Sequence, residues 1–365
     1  MKKIIFTLLA TVMALSVNAK ENLKTVFIGS WTNNPAGIYS CLYNPNTGEL
    51  SDLRMEFGAA QTSFLTLSAN QKYLYTFRRA EGGNYKLLSF RVGADKRTLT
   101  PVDSLETGMK DPCQIKLLDH GRIVAAACYG DGTVIYCNTD KQGRFIRPLR
   151  VLDFNNSPAF KPEGKTSHAH MVNADNHEKF VYVSDLGFDR VIVYRLVKGE
   201  LVYHSYIQGA ERSGPRHMDF HPSGKYLALL CELNSTVVLY GPDSEGVFSK
   251  ELQVISQLPA DYARGKSSAD IHFSHDGKYL YASERGNSSV VCYSMDAATG
   301  RLTLTGRITD GLRTPRNFTV DPNGQWLIVG SQDNNSVVTF HAQPESAIVS
   351  KVDNVIKPSC VVIMK

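Results

Sequence analysis

Past its first residues this chain has no apolar run approaching the about 20 residues that a membrane-spanning helix needs, so a helical span is not expected in its body. No run of lysine or arginine stands out either: the formal charge is +5, and part of that is Lys2 and Lys3. That excludes the basic stripe of a nucleic-acid binder. Cysteine is sparse and badly placed for chemistry. The seven are Cys41, Cys113, Cys128, Cys137, Cys231, Cys292 and Cys360, odd in number and scattered, with no C-x-x-C. They read as small buried hydrophobes rather than zinc or redox groups. Also missing are a sustained helical period, a G-x-S-x-G elbow, a P-loop and an H-E-x-x-H pair. Serine-elbow hydrolysis, nucleotide cleavage and zincin chemistry are set aside with them.

The chain does have a pronounced start. "MKKIIFTLLATVMALSVNAK" is basic, then apolar from Ile4 to about Val17, then carries small residues before Lys20. This is the pattern of a cleaved signal peptide over residues 1–19. The mature chain, 20–365, is expected to be exported, to the periplasm if the host is Gram-negative.

The body repeats one phrase. "PRHMDFHPSGKYLALLCELNSTVVLY", "SADIHFSHDGKYLYASERGNSSVVCY" and "PRNFTVDPNGQWLIVGSQDNNSVVTF" share a short alternating run, a polar turn, an apolar run, a polar loop and a third apolar run. Weaker copies precede them, at a spacing of roughly 50 residues, the range of propeller blades. The runs are short, rich in Val, Tyr, Ile and Phe, and bounded by Gly, Asn, Asp or Pro, so they read as strands. Turns such as "DAATGRLTLTG" start a fourth strand, and four strands make a blade. Six full copies run from Ser63 to about Val355. The head lacks a first strand and the tail "KPSCVVIMK" is a lone one. An all-β, seven-bladed β-propeller of four-stranded antiparallel blades follows, a single domain with its ring closed by the C-terminal strand joining the N-terminal blade.

Closure gathers certain residues. The first two strands of a blade form a hairpin, so the start of the first lies beside the end of the second. Innermost strands line the channel, so these positions converge on one mouth. Inner-strand starts are Gln114, His168, His170, Arg216, His217, Asp270 and Arg316; second-strand ends are Trp31, Tyr129, Asp185, Glu232, Glu284, Arg285 and Gln332. A polar concave mouth on a rigid ring suits a small molecule. The competing structural reading makes Arg216–Glu232 and Asp185–Arg190 plain ion pairs. His221 and His275 sit in the far turns and read as structural; His120 and His177 read as exposed turn residues. His168 and His170 would share a strand face and could hold a metal with Asp185, but the expectation is that no metal or cofactor is needed.

These segments carry a resemblance. "FIGSWTNNPAGIY", "DPCQIKLL", "CYGDGTVIYC", "SHAHMV", "VYVSDLGFDRVIVY", "SGPRHMDFHPSGKY", "ADIHFSHDGKYLYASERG" and "TPRNFTVDPNGQWLIV" resemble, in order, the lactonase family of seven-bladed propellers. That family includes the propeller-type 6-phosphogluconolactonase and 3-carboxy-cis,cis-muconate lactonizing enzyme. The resemblance implies a site of one histidine, two arginines and a glutamate, matching His168, Arg216, Glu232 and Arg285. It implies hydrolysis of a sugar lactone, with His168 or Glu232 as base and the arginines holding a carboxylate, phosphate or oxyanion. The alternatives are a muconate-type cycloisomerase and a non-catalytic exported ligand-binding propeller. The chain departs from the family pattern at Trp31, where tyrosine is common, at Gln114, where histidine is common, and at "CYGDG". The expected partner is a lactone or carboxylate, and export would keep the protein from cytosolic phosphorylated lactones.

Overall fold

The computed structural model describes residues 23–33, 37–262 and 265–365, so the expected signal segment lies outside the described residues. Within them the strands form seven four-stranded sheets, each antiparallel throughout. Six are runs of consecutive strands. In the seventh, Pro358–Ile363 pairs with Lys24–Ser30, so tail and head share a blade as the repeat pattern predicts. Numbered along the chain from blade 1, the inner strands are Leu65–Leu67, Pro112–Leu118, Ala169–Ala174, Pro215–Phe220, Ser268–Phe273, Pro315–Val320 and Pro358–Ile363. Each meets the next, and the last meets the first. No described helix is long and apolar enough to cross a membrane.

Strand position in the blade explains the residue patterns. Second strands such as Ile123–Cys128 and Leu227–Cys231 are buried at every residue, because blades stack on both faces. Such strands need apolar side chains throughout and lose period-two alternation. The outermost strands keep it: Ile348–Asp353 alternates half-buried and exposed. The apolar side chains gather in seven clusters, one between each pair of neighbouring blades. Six cysteines belong to these clusters, as small buried hydrophobes, and all seven are free thiols. The far turns fix the blades too. His221 donates from Nε2 to the Gly277 carbonyl of the next blade at 2.9 Å, and its Nδ1 lies 2.7 Å from the Ser223 hydroxyl. Gly277 has φ +72°, and a Cβ there would strike the His221 ring.

A second device repeats around the channel. The backbone amide of Val172 donates to Gln114 Oε1 at 3.0 Å, that of Phe318 to Asp270 Oδ2 at 3.2 Å, and that of Val361 to Asn317 Oδ1 at 2.6 Å. Met218 and Leu65 amides meet the sulfurs of Met171 and Cys360 at 3.1 and 3.3 Å. In every case the acceptor is the third residue of one repeat and the donor the fourth of the next. These side chains staple inner strand to inner strand.

Candidate active site

The inner strands carry an irregularity that decides which side chains reach the mouth. Pro215 pairs with Cys231, but His217 pairs with Leu230, so Arg216 is an extra residue with no partner. The same slip occurs at Cys113, His170, Arg316 and Ser359, and within Ala269–Asp270. A β-bulge bends the strand and re-aims the unpaired side chain. Proline precedes it in four blades, at Pro112, Pro215, Pro315 and Pro358, where no ladder donor is needed. The bulged side chains Cys113, His170, Arg216, Arg316 and Ser359, with Ser63 from blade 1, line a cavity of about 420 Å³. Residues just beyond the second strands complete it: Trp31, Tyr129, Glu232 and Arg285, with Arg79 at the end of its own.

The opening pair of the repeat meets there. Arg216 Nε bonds Glu232 Oε2 at 2.7 Å, and Arg285 Nη2 bonds Glu232 Oε1 at 2.9 Å. One carboxylate thus holds two guanidinium groups. Arg216 also donates through Nη1 to the Ala269 carbonyl, and Arg285 donates to the Ser267 and Ser268 carbonyls at 3.1 and 3.3 Å. Burial works to raise Glu232, but the charges of Arg216 and Arg285 outweigh it and keep the carboxyl below its ordinary range.

Two histidines form another wall. His170 and His217 stand edge to face with centroids 5.1 Å apart, and His170 is also edge-on to Tyr129. His217 Nδ1 lies 2.7 Å from Asp270 Oδ1 and its Nε2 has no partner among the described residues. Burial, then the nearby charge of Arg216, pushes His217 down to about 4 despite Asp270, and His170 well below its usual value. Both rings are neutral near pH 7. With Nδ1–H committed to the carboxylate, His217 keeps its lone pair on Nε2. Asp270 continues downward to His272 Nε2 at 3.0 Å. Burial opposes charge on His272, yet Asp270 outweighs it, with help from Asp219, and raises the ring to about 9.

The structure brings together Trp31, Tyr129, His170, Arg216, His217, Glu232, Arg285 and Arg316 from the residues the repeats point to. Others stay outside the lining. His168 stacks under Tyr129 at 4.4 Å and its Nδ1 lies 3.0 Å from the Tyr129 carbonyl, so it positions that tyrosine. It does not share a face with His170, because the bulge turns His170 away. Asp185 accepts from the His168 and Phe188 amides and from Ser167; Glu284 likewise holds the Ser267 and Asn287 amides. Asp185 therefore makes no pair with Arg190, whose Nε goes to Gln208. Gln114 and Asp270 serve as staples, and Gln332 is buried without joining the lining. Strand-end reasoning passes over Ser63, Phe64, Arg79, Tyr85, Asp111, Cys113 and Ser359, all in the lining. The proline preceding a bulge was the available signal for Cys113 and Ser359.

A seven-bladed propeller with a paired-arginine, carboxylate and neutral-imidazole mouth is a small-molecule enzyme scaffold of the lactonase kind. The family model "Lactonase, 7-bladed beta-propeller" matches residues 25–363. A 6-phosphogluconolactonase of Formosa agariphila is 30% identical over 340 residues, covering 90% of this chain and 95% of its own. The crystal structure of a candidate 6-phosphogluconolactonase from Bacteroides fragilis superposes with TM-score 0.84 at 27% identity, over 94% of this chain and 98% of that one. The periplasmic gluconolactonase of Pseudomonas aeruginosa shares the fold at TM-score 0.85 and 23% identity, over 94% and 99%. The chain belongs to the lactonase family of seven-bladed β-propellers.

Proposed function

We propose that the mouth cavity hydrolyses a sugar lactone of the 6-phosphogluconolactonase class. The observation that carries this is the Arg216–Glu232–Arg285 clamp facing the neutral His170–His217 pair in one cavity. A water oxygen adds to the lactone carbonyl carbon while its proton passes to the imidazole pair. Arg216 and Arg285 stabilise the oxyanion; Glu232 fixes their orientation. Collapse breaks the bond from the carbonyl carbon to the ring oxygen. The proton held by the imidazole goes to that leaving oxygen, giving a hydroxy acid. Asp270 is a positioning residue that sets the His217 tautomer. In this assignment the base is neither His168, which faces Tyr129, nor Glu232, which is held between two cations.

The test is turnover of a lactone panel, with spontaneous hydrolysis subtracted. His217→Gln, His170→Gln and Arg216→Ala should each lower kcat/KM by about 10²–10⁴. Wild-type turnover by the two histidine variants together would remove the proposed base. Export is part of the proposal, supported by the basic, apolar and small-residue pattern before Lys20. Mature protein starting at Lys20 in a periplasmic or secreted fraction is the expected result, and full-length protein in the cytosol would contradict it.

A further inference from the structure

The guanidinium groups of the mouth are not equivalent. Arg216 and Arg285 are both held by Glu232 and by backbone carbonyls, which leaves Nη2 of the first and Nη1 of the second for the oxyanion. Arg79, at the exposed rim, reaches Asn33 Oδ1 at 3.4 Å. Arg316 is different. It is the bulged residue of blade 6, its guanidinium carbon sits 4.2 Å over the Trp31 ring, and among the described residues it meets no carboxylate. Among the described residues the carboxylates in the lining are Glu232 and Asp111, and Asp111 accepts the Tyr85 hydroxyl at 3.1 Å. Four arginines against two acids leave the cavity with an excess of positive charge.

Such an excess is costly in a partly enclosed site unless a ligand balances it. Burial, then repulsion from Arg216 and Arg285, already pushes Arg316 down to about 9, so it stays charged at neutral pH but unfavourably. Stacking on Trp31 occupies the face of the guanidinium plane and leaves its N–H edge, the edge that recognises oxyanions, without a partner among the described residues. Trp31 itself is 46% exposed and is one of the two tryptophans of the chain. It is the shelf that fixes this plane.

We infer that Arg316, seated on Trp31, is a separate subsite for an anionic substituent of the lactone, a phosphate or a carboxylate, distinct from the Arg216–Glu232–Arg285 clamp. This deepens the lactonase reading and rests on it for the word lactone, but not for the anion. The site selects a charged lactone over its neutral counterpart.

Two measurements test it. The first needs no catalysis: titration of the intact protein with inorganic phosphate and with 6-phosphogluconate, wild type against Arg316→Gln and Trp31→Ala. Loss of about tenfold or more in affinity is expected for Arg316→Gln, with partial recovery in Arg316→Lys. Equal affinity in wild type and Arg316→Gln overturns the subsite. The second compares kcat/KM for 6-phosphogluconolactone, an aldaric monolactone with a free carboxylate, and neutral gluconolactone. The ratio of charged to neutral should fall about 10- to 100-fold in Arg316→Gln, and whichever charged lactone falls further identifies the group that is read. An unchanged ratio overturns the assignment. If wild type opens none of these lactones while phosphate still binds through Arg316, the lactonase reading fails and the anion subsite stands.

Discussion

Replacing Glu232 by glutamine tests what the shared carboxylate does. It keeps the shape and one acceptor oxygen but removes the charge that balances Arg216 and Arg285. Arg216 is almost wholly enclosed, at 3% side-chain exposure, and Arg285 is at 14%, so water replaces little of what is lost. Removing one partner of a buried pair costs about 3–5 kcal/mol. Glu232 is 21% exposed and glutamine retains a hydrogen bond, so about 3 kcal/mol is expected. Unfolding entropy of about 2.1 cal/mol/K per residue makes 1 kcal/mol worth about 1.4 °C in a chain of this length, so Tm should fall by about 4 °C. The charge left behind has a second signature. With three arginines uncompensated, inorganic phosphate should bind Glu232→Gln more tightly than wild type, and saturating phosphate should recover the lost Tm.

Calorimetry with and without phosphate reads both effects, and a pH–rate profile adds a third. If Glu232 only positions its arginines, kcat falls but the shape of the profile survives. Its carboxyl is already held low by those two charges, so it has little basicity to contribute near pH 7. An acid limb that vanishes in Glu232→Gln would make Glu232 the base. An unchanged Tm together with weaker phosphate binding would show that the pair is not the balanced clamp described here. Either outcome refutes the reasoning.

Deleting Pro358–Lys365 removes the strand that closes the ring and exposes the edge of Lys24–Ser30. Size-exclusion chromatography should show aggregation, and a monomer with wild-type Tm would contradict closure. Gln114→Leu leaves the buried Val172 amide without its acceptor, so urea unfolding should report a loss of about 1–3 kcal/mol; no loss would dismiss the staple. Asp270→Asn should flatten the alkaline side of the stability profile. His272 is raised to about 9 against about 6.5 unfolded, so its contribution is fully present below about pH 6.5 and is lost as pH rises through about 9. Denaturation midpoints across pH 6–10 measure this, and parallel wild-type and variant curves would refute it.

The ring itself was legible because its cause is local and repeated. Each copy carries the same turn, and the strand missing from the head is the strand left over at the tail. The Arg216–Glu232 meeting was legible for the same reason: antiparallel pairing alone puts a first-strand start beside a second-strand end. The sorting of neighbours was not. Gln114 and Cys113 are adjacent, as are His217 and Arg216, and simple alternation would send one inward and the other away. The bulge breaks that rule by inserting a residue, and an inserted residue leaves no trace in a hydrophobic pattern only three or four residues long. Arg79 and Tyr85 end and begin neighbouring strands of blade 1, whose copy of the repeat is among the weaker ones, and Asp111 was hidden differently, because it comes from the loop before an inner strand.

The bulge also explains how one repeated phrase can hold a site that is not sevenfold. In five blades the residue after the bulge is tied to the next blade by a backbone amide, which restricts it to an acceptor: Gln114, Asp270, Asn317, or the sulfurs of Met171 and Cys360; in blade 4 His217 stands there and meets Asp270 instead. The bulged residue accepts no such amide, because nothing pairs with it in the ladder, although Cys113, Arg216 and Ser359 donate to carbonyls of the next blade. It varies freely from Cys113 to His170, Arg216, Arg316 and Ser359 while the ladder on either side stays fixed. Stability and chemistry are therefore written largely at adjacent positions, and a change at His170 or Arg316, the bulged residues without a bond to the next blade among the described residues, should alter what the mouth holds at little cost to the ring. At the staple position the reverse should hold.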